Sequence, residues 1–168
     1  VLSYGPAQGL DLYRENLVNY YQRNNIDINK DDIIVTTAGS EAIIFALMTT
    51  CNPGDEIIIP EPFYTNYNGF AKMAGVKVVP LTTHAENGYG LPSDEKIKEL
   101  INEKTKAILI CSPNNPTGAV YPRKDMERIA KIAQEHDLFI ISDEVYREFI
   151  YNGEEQVSFL NIKDIEDK

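Results

Sequence analysis

The sequence has 168 residues, enough for one domain or most of a large one. Its 16 Lys and Arg against 26 Asp and Glu leave a net charge of −10, which argues against a nucleic-acid binder and against charge-driven docking on an anionic membrane. With 43% apolar and 10% aromatic residues a packed core is expected, and the longest unbroken apolar run, Ala42 to Met48, is too short to span a bilayer.

The opening residues, Val1-Leu2-Ser3-Tyr4-Gly5, lack the basic and apolar regions of a signal peptide. Leu10, Tyr13, Leu17 and Tyr20 then recur at helical spacing and predict an opening helix. Ile33-Ile34-Val35 reads as a first strand. From Ser40 to about Met48 the chain is apolar almost all round, which predicts a buried helix. Ile57-Ile58-Ile59 reads as a second strand, and Tyr67, Phe70, Ala71 and Ala74 mark the apolar face of the next helix. A third strand is expected over Val76 to Val79. Ser93, followed by Asp94 and Glu95, has the form of a helix cap, with Ile97, Leu100 and Ile101 as that helix's apolar face. Ala107 to Cys111 reads as a fourth strand. Pro122 opens a helix whose inner face is Met126, Ile129, Ala130 and Ala133, and Leu138 to Ile141 reads as a fifth strand. Pro53-Gly54-Asp55, Asn87-Gly88 and Asn152-Gly153 punctuate the loops, and a polar tail follows from Ile162 to Lys168.

Strands that alternate with helices imply βαβ units. The strands are continuous apolar runs, not alternating ones, as in a parallel sheet covered on both faces. The expected fold is therefore α/β, a three-layer α/β/α sandwich with a mostly parallel sheet. The two cysteines, Cys51 and Cys111, sit in apolar stretches and read as buried free thiols in a reducing, cytoplasmic setting.

In such a sheet, ligands bind outside the carboxyl ends of the strands. Four segments there carry chemistry. Thr36-Thr37-Ala38-Gly39-Ser40-Glu41 is a small-residue turn that opens into a helix; its free amides form an anion site, unless Ser40 is simply the helix cap. Pro60-Glu61-Pro62-Phe63-Tyr64 is a stiff loop that offers an aromatic ring for stacking, or packs as plain loop. Ser112-Pro113-Asn114-Asn115-Pro116-Thr117-Gly118 is a rigid polar loop in which Asn115 is placed to hydrogen-bond a ring substituent. Ser142-Asp143-Glu144-Val145-Tyr146 ends a buried strand with a carboxylate that needs a cation or donors. An anion cradle, a stacking ring, an amide and a carboxylate suit a phosphorylated, flat, cationic heterocycle such as pyridoxal phosphate.

These motifs closely resemble the class I/II aminotransferases of fold type I, the aspartate aminotransferase superfamily. The resemblance covers nearly the whole chain, from Tyr4-Gly5-Pro6-Ala7-Gln8-Gly9 and Leu12-Tyr13-Arg14-Glu15 through Gly39-Ser40-Glu41-Ala42 and Pro62-Phe63-Tyr64. Its most specific pieces are Asn114-Asn115-Pro116-Thr117-Gly118 and Ser142-Asp143-Glu144-Val145-Tyr146. The resemblance implies that Ala38, Gly39 and Ser40 bind the phosphate of pyridoxal 5'-phosphate, although Ala38 stands where the family commonly has a hydroxyl residue or Gly. It implies that Tyr64 stacks on the pyridine ring and Asn115 and Tyr146 hydrogen-bond its phenolic oxygen. The resemblance further implies that Asp143 pairs with the ring nitrogen and that Tyr4 reaches the phosphate of a neighbouring subunit in a homodimer. The substrates implied are an amino acid and a 2-oxo acid.

The family's Schiff-base lysine lies in a Ser-x-Ser-Lys-like motif beyond the Asp143 position, and no such motif occurs here. Lys124 and Lys131 fall on the solvated face of an amphipathic helix. Residues 1–168 are therefore expected to be an incomplete cofactor-binding large domain, without the small domain or a catalytic lysine, and inactive alone. No metal site is expected. A carbon–sulfur or carbon–carbon lyase with the same cofactor cradle, or the aminotransferase-like sensor domain of a transcriptional regulator, are the alternatives. A dinucleotide-binding oxidoreductase is weaker, because the Gly-rich fingerprint is missing.

Overall fold

The computed structural model describes residues 4–151 and 153–162. Asn152 and the polar tail beyond Ile162 lie outside the described residues, as do Val1, Leu2 and Ser3. Helices α1 (Asp11–Arg23), α2 (Gly39–Thr50), α3 (Asn66–Met73), α4 (Asp94–Lys98) and α5 (Arg123–Glu135) accompany strands β1 (Glu56–Glu61), β2 (Lys77–Thr82), β3 (Thr105–Cys111) and β4 (Phe139–Asp143). The four strands form one sheet in the order β2-β1-β3-β4, and every ladder is parallel.

Side chains of successive strand residues leave opposite faces of the sheet, so each strand feeds two cores. Ile57, Ile59, Ala107, Leu109, Cys111 and Ile141 pack with Ile43 and Leu47 of α2 and with Tyr67, Phe70 and Ala71 of α3. Ile58, Ile108 and Ile110 pack on the other face with Ile97 of α4 and with Met126, Ile129, Ala130 and Ala133 of α5. That is the expected three-layer α/β/α arrangement. The helix faces read for α3 and α5 are the buried ones, and Pro122 is the residue before α5. Both cysteines are buried and unpaired.

Four expectations need correction. Ile33-Ile34-Val35 is extended at Ile33 but joins no strand of the described sheet. Its backbone is engaged elsewhere: the Ile33 amide donates to Lys30 O, the Ile33 carbonyl accepts from Arg14 Nε at 3.1 Å, and the Val35 amide donates to Gln8 O at 2.9 Å. Helix α2 is not buried all round. It lies on one face of the sheet and buries Ile43 and Leu47, while Phe45 and Met48 remain 49% and 67% exposed. Helix α1 forms, yet its buried residue is Arg14, whose guanidinium donates to the carbonyls of Lys30 and Ile33; Leu10 and Tyr13 are exposed. Ser93 does precede α4, but its hydroxyl makes no cap hydrogen bond. Leu100 and Ile101 follow that short helix and still pack, partly buried, on the α5 side of the core.

Candidate active site

Parallel pairing directs the carboxyl ends of β1, β3 and β4 to one edge, and the loops that leave them meet there. At that edge Gly39, Ser40, Tyr64, Asn115, Asp143 and Tyr146 line a single cleft of about 220 Å3, together with Ile43, Tyr67, Phe70, Cys111 and Val145. The volume lies below the range of roughly 300–1,000 Å3 usual for drug-sized ligands, as suits one small heterocycle.

The turn into α2 is shaped by its own polar groups. Ala38, the residue before the helix, is fully extended, and the Thr36 hydroxyl donates to its carbonyl at 2.9 Å. Glu41 folds back to accept from the Thr37 amide at 2.6 Å. Ser40 therefore sits inside the first turn and is not the cap. Among the described residues, the amides of Gly39 and Ser40 and the Ser40 hydroxyl make no hydrogen bond. First-turn amides without partners carry the positive end of the helix dipole. A Cβ added at Gly39 would meet nothing within 4 Å, so an anion has open space beside that backbone. Ala38 adjoins this cradle as the residue before the helix and is not itself a lining residue.

Tyr64 follows β1 and is half-buried, its hydroxyl held by Asn66 Nδ2 at 2.7 Å. Its ring meets that of Tyr67 edge-on, with centroids 5.6 Å apart at 89°. The edge contact leaves a face of Tyr64 for stacking.

The two amides after β3 have different duties. Asn114 is buried, and its Oδ1 accepts from the Thr117 hydroxyl at 2.8 Å and from the Thr117 amide at 3.2 Å. Its backbone closes the loop through Ala119 and Gly118. Asn115 is only half-buried, and its side-chain amide makes no hydrogen bond among the described residues. Tyr146 stands across from it, 38% exposed, with its ring against Phe149 and its hydroxyl without a partner among the described residues. Both also border a second groove of about 430 Å3 with Pro113, Val120 and Phe149.

Asp143 is the last residue of β4 and lies opposite Cys111 in the ladder. Its Oδ1 accepts from the Val145 amide at 3.1 Å and its Oδ2 from the Tyr67 hydroxyl at 2.5 Å. No cation pairs with it among the described residues. Tyr67 is 1% exposed. Burial, then the nearby Cys111 and Asp143, push its phenol far above the usual tyrosine range, so it stays a donor. Burial and the Asp143 charge likewise push the Cys111 thiol up.

Tyr67 and Cys111 are site residues that sequence reading placed only in the core. A tyrosine on an otherwise apolar helix face was the available signal, because a buried hydroxyl requires a partner. Tyr4 is not brought into the cleft; it is wholly exposed. Lys124 and Lys131 face solvent on α5, and among the described residues no lysine lines the cleft. No helix of the described residues is long and apolar enough to cross a membrane.

The family model described as aminotransferase class I and II matches residues 1–167. The aspartate/prephenate aminotransferase of Thermus thermophilus is 38% identical over 152 residues, which are 90% of this chain and 39% of that protein. Among solved structures, aspartate aminotransferase from Thermus thermophilus with maleate superimposes with a TM-score of 0.87 at 36% identity, over 92% of this chain and 41% of that one. An aromatic aminotransferase from Pyrococcus horikoshii superimposes with a TM-score of 0.92 at 34% identity, over 97% of this chain and 44% of its own. The chain thus spans about two fifths of the length of the relatives it matches.

Proposed function

The chain belongs to the class I and II aminotransferase family, and from that premise we propose that residues 1–168 form part of the cofactor-binding large domain of a longer, cytoplasmic transaminase. That enzyme moves an amino group between an amino acid and a 2-oxo acid, with pyridoxal 5'-phosphate as cofactor. The observation that carries this reading is the shared cleft. Unpartnered helix amides at Gly39 and Ser40 and a carboxylate without a cation at Asp143 open into the same small space.

The residues present fit the cofactor. The Gly39 and Ser40 amides and the Ser40 hydroxyl hold its phosphate beside Ala38, where the helix dipole favours negative charge. Tyr64 supports the ring face. Asn115 and Tyr146 are the free donors for the phenolic oxygen. Asp143 accepts the proton-bearing ring nitrogen, which meets the need of a half-buried carboxylate for a cation. When bound, the cofactor supplies an electron sink for the bonds broken at the amino acid's α-carbon. The chain's own task is to bind, orient and hold charge. The lysine that anchors the cofactor and moves the α-proton comes from outside this sequence, and so does the small domain. The fully exposed Tyr4 reaches the phosphate of a neighbouring subunit in a homodimer. Exposed Phe45 and Met48 on α2 give such an assembly apolar surface to cover. Two buried, unpaired cysteines suit a reducing compartment.

The test is made on the intact enzyme. After dialysis against a carbonyl-trapping amine, added pyridoxal phosphate is expected to restore a visible absorbance band and amino-group exchange with at least one amino-acid and 2-oxo-acid pair. A protein that takes up no cofactor, or takes it up and only releases carbonyl products without exchange, overturns the transaminase reading.

A further inference from the structure

The acceptor for the ring nitrogen is not free-standing. Asp143 Oδ2 receives the Tyr67 hydroxyl at 2.5 Å, from a side chain that is 1% exposed and belongs to α3 on a different part of the chain. The same ring supports Tyr64 edge-on, so one side chain braces both the stacking ring and the carboxylate. The other oxygen of Asp143 is fixed by the Val145 amide. Two donors on separate oxygens set the carboxylate's rotation.

We infer that Tyr67 is a positioning residue that holds the Asp143 carboxylate turned toward the cleft, so that the proton shared with bound pyridoxal phosphate stays on the ring nitrogen. This rests on the cofactor reading above. A neutral phenol suits the task better than a cation. A lysine or arginine at position 67 would neutralise Asp143 before the cofactor arrived. A phenol donates one hydrogen bond and leaves the negative charge in place. Burial beside Cys111 and Asp143 holds the phenol protonated, so the donor is permanent. Without that hydroxyl, Asp143 Oδ2 loses its donor and the shared proton moves from nitrogen toward oxygen, which weakens the ring as an electron sink.

The intact holoenzyme and its Tyr67→Phe variant are loaded with cofactor labelled with 15N at the ring nitrogen. The signal is expected at the protonated position in the natural protein and displaced toward unprotonated pyridine in Tyr67→Phe. Affinity for pyridoxal phosphate should fall about tenfold in the variant. Affinity for an analogue with carbon in place of the ring nitrogen should not change. A packing role would weaken both ligands alike and would leave the nitrogen signal in place. Either of those results overturns the inference while leaving the cofactor reading intact. If Tyr67→Phe does not accumulate, Tyr67→Leu also lacks a donor and is read in the same way. A natural protein that takes up no pyridoxal phosphate overturns both readings together.

Discussion

Two carboxylates close opposite ends of the same sheet, and only one has a cation. Glu56 opens β1 and is buried; its two oxygens accept from Lys77 Nζ and Asn102 Nδ2, each at 2.8 Å. The hydrogen bonds from Asn102 and Lys77 hold it below the usual glutamate range. Lys77 faces it directly in the β1–β2 ladder, and Asn102 precedes β3, so the cluster ties three strands at their amino ends. Asp143, at the carboxyl end of β4, has two neutral donors and an open cleft. Equal charge therefore means different things at the two ends, where Glu56 is buried and Asp143 is half-buried. A saturated carboxylate is part of the fold, whereas one left a position short at the edge where loops converge is part of a site.

The sharpest way to break this contrast is Asp143→Asn in the intact enzyme. Removing one partner of a desolvated charge pair costs about 3 kcal/mol, on the order of a hundredfold. Cofactor dissociation measured by dialysis should rise by that factor, with turnover falling at least as far. The cofactor-free protein should melt within about 1 kcal/mol of the natural one, because no protein cation loses its partner. A large loss of apoprotein stability would place Asp143 with Glu56 as a structural charge.

The converse substitution is Glu56→Gln. It removes a charge that Lys77 and Asn102 already satisfy, and should cost about 1–2 kcal/mol in denaturant unfolding while leaving cofactor affinity unchanged. The pH dependence sharpens the point. The folded value of Glu56 lies below its ordinary 4.5, so the unfolded chain binds the extra proton first as acid is added. Its contribution is complete above the ordinary value and is lost as pH falls through the lowered one. The natural protein should therefore lose stability in that acid window more steeply than Glu56→Gln, and the two curves should converge below it.

The sequence carried the parts of this molecule that depend on local pattern. Runs such as Ile57-Ile58-Ile59 and Ala107 to Cys111 are buried strands because both faces of the sheet are covered. Asp143 was legible because a carboxylate at the end of an apolar strand is costly without a purpose, and Asn115 because a dense polar loop follows the buried strand β3. Long-range partners were not legible. Nothing local to Ile33-Ile34-Val35 says that Arg14 will take the Ile33 carbonyl that a neighbouring strand would need. Nothing around Tyr67 says that its hydroxyl meets a residue 76 positions away. The role of Asn114 as brace and Asn115 as free amide is likewise decided by the fold of the loop, where Thr117 occupies the first.

The smallest effect tests where the chain's own lysines stand. Lys124 is exposed on α5, and Lys131 reaches Glu135 Oε1 only at 3.9 Å, one turn along the same helix. Helix α5 packs on the sheet face that carries Ile58 and Ile110, whereas Cys111, Tyr67 and Ile43 of the cleft belong to the opposite face. The sheet thus separates these ammonium groups from Asp143. An exposed pair at helical spacing adds little to stability. The double variant Lys124→Ala, Lys131→Ala should accordingly keep the natural melting temperature, cofactor affinity and absorbance band. Reduction with borohydride followed by peptide mapping should attach the cofactor to neither position in the natural protein. A labelled Lys124 or Lys131 would require a route around the sheet that this topology does not offer, and would return the anchoring lysine to this chain.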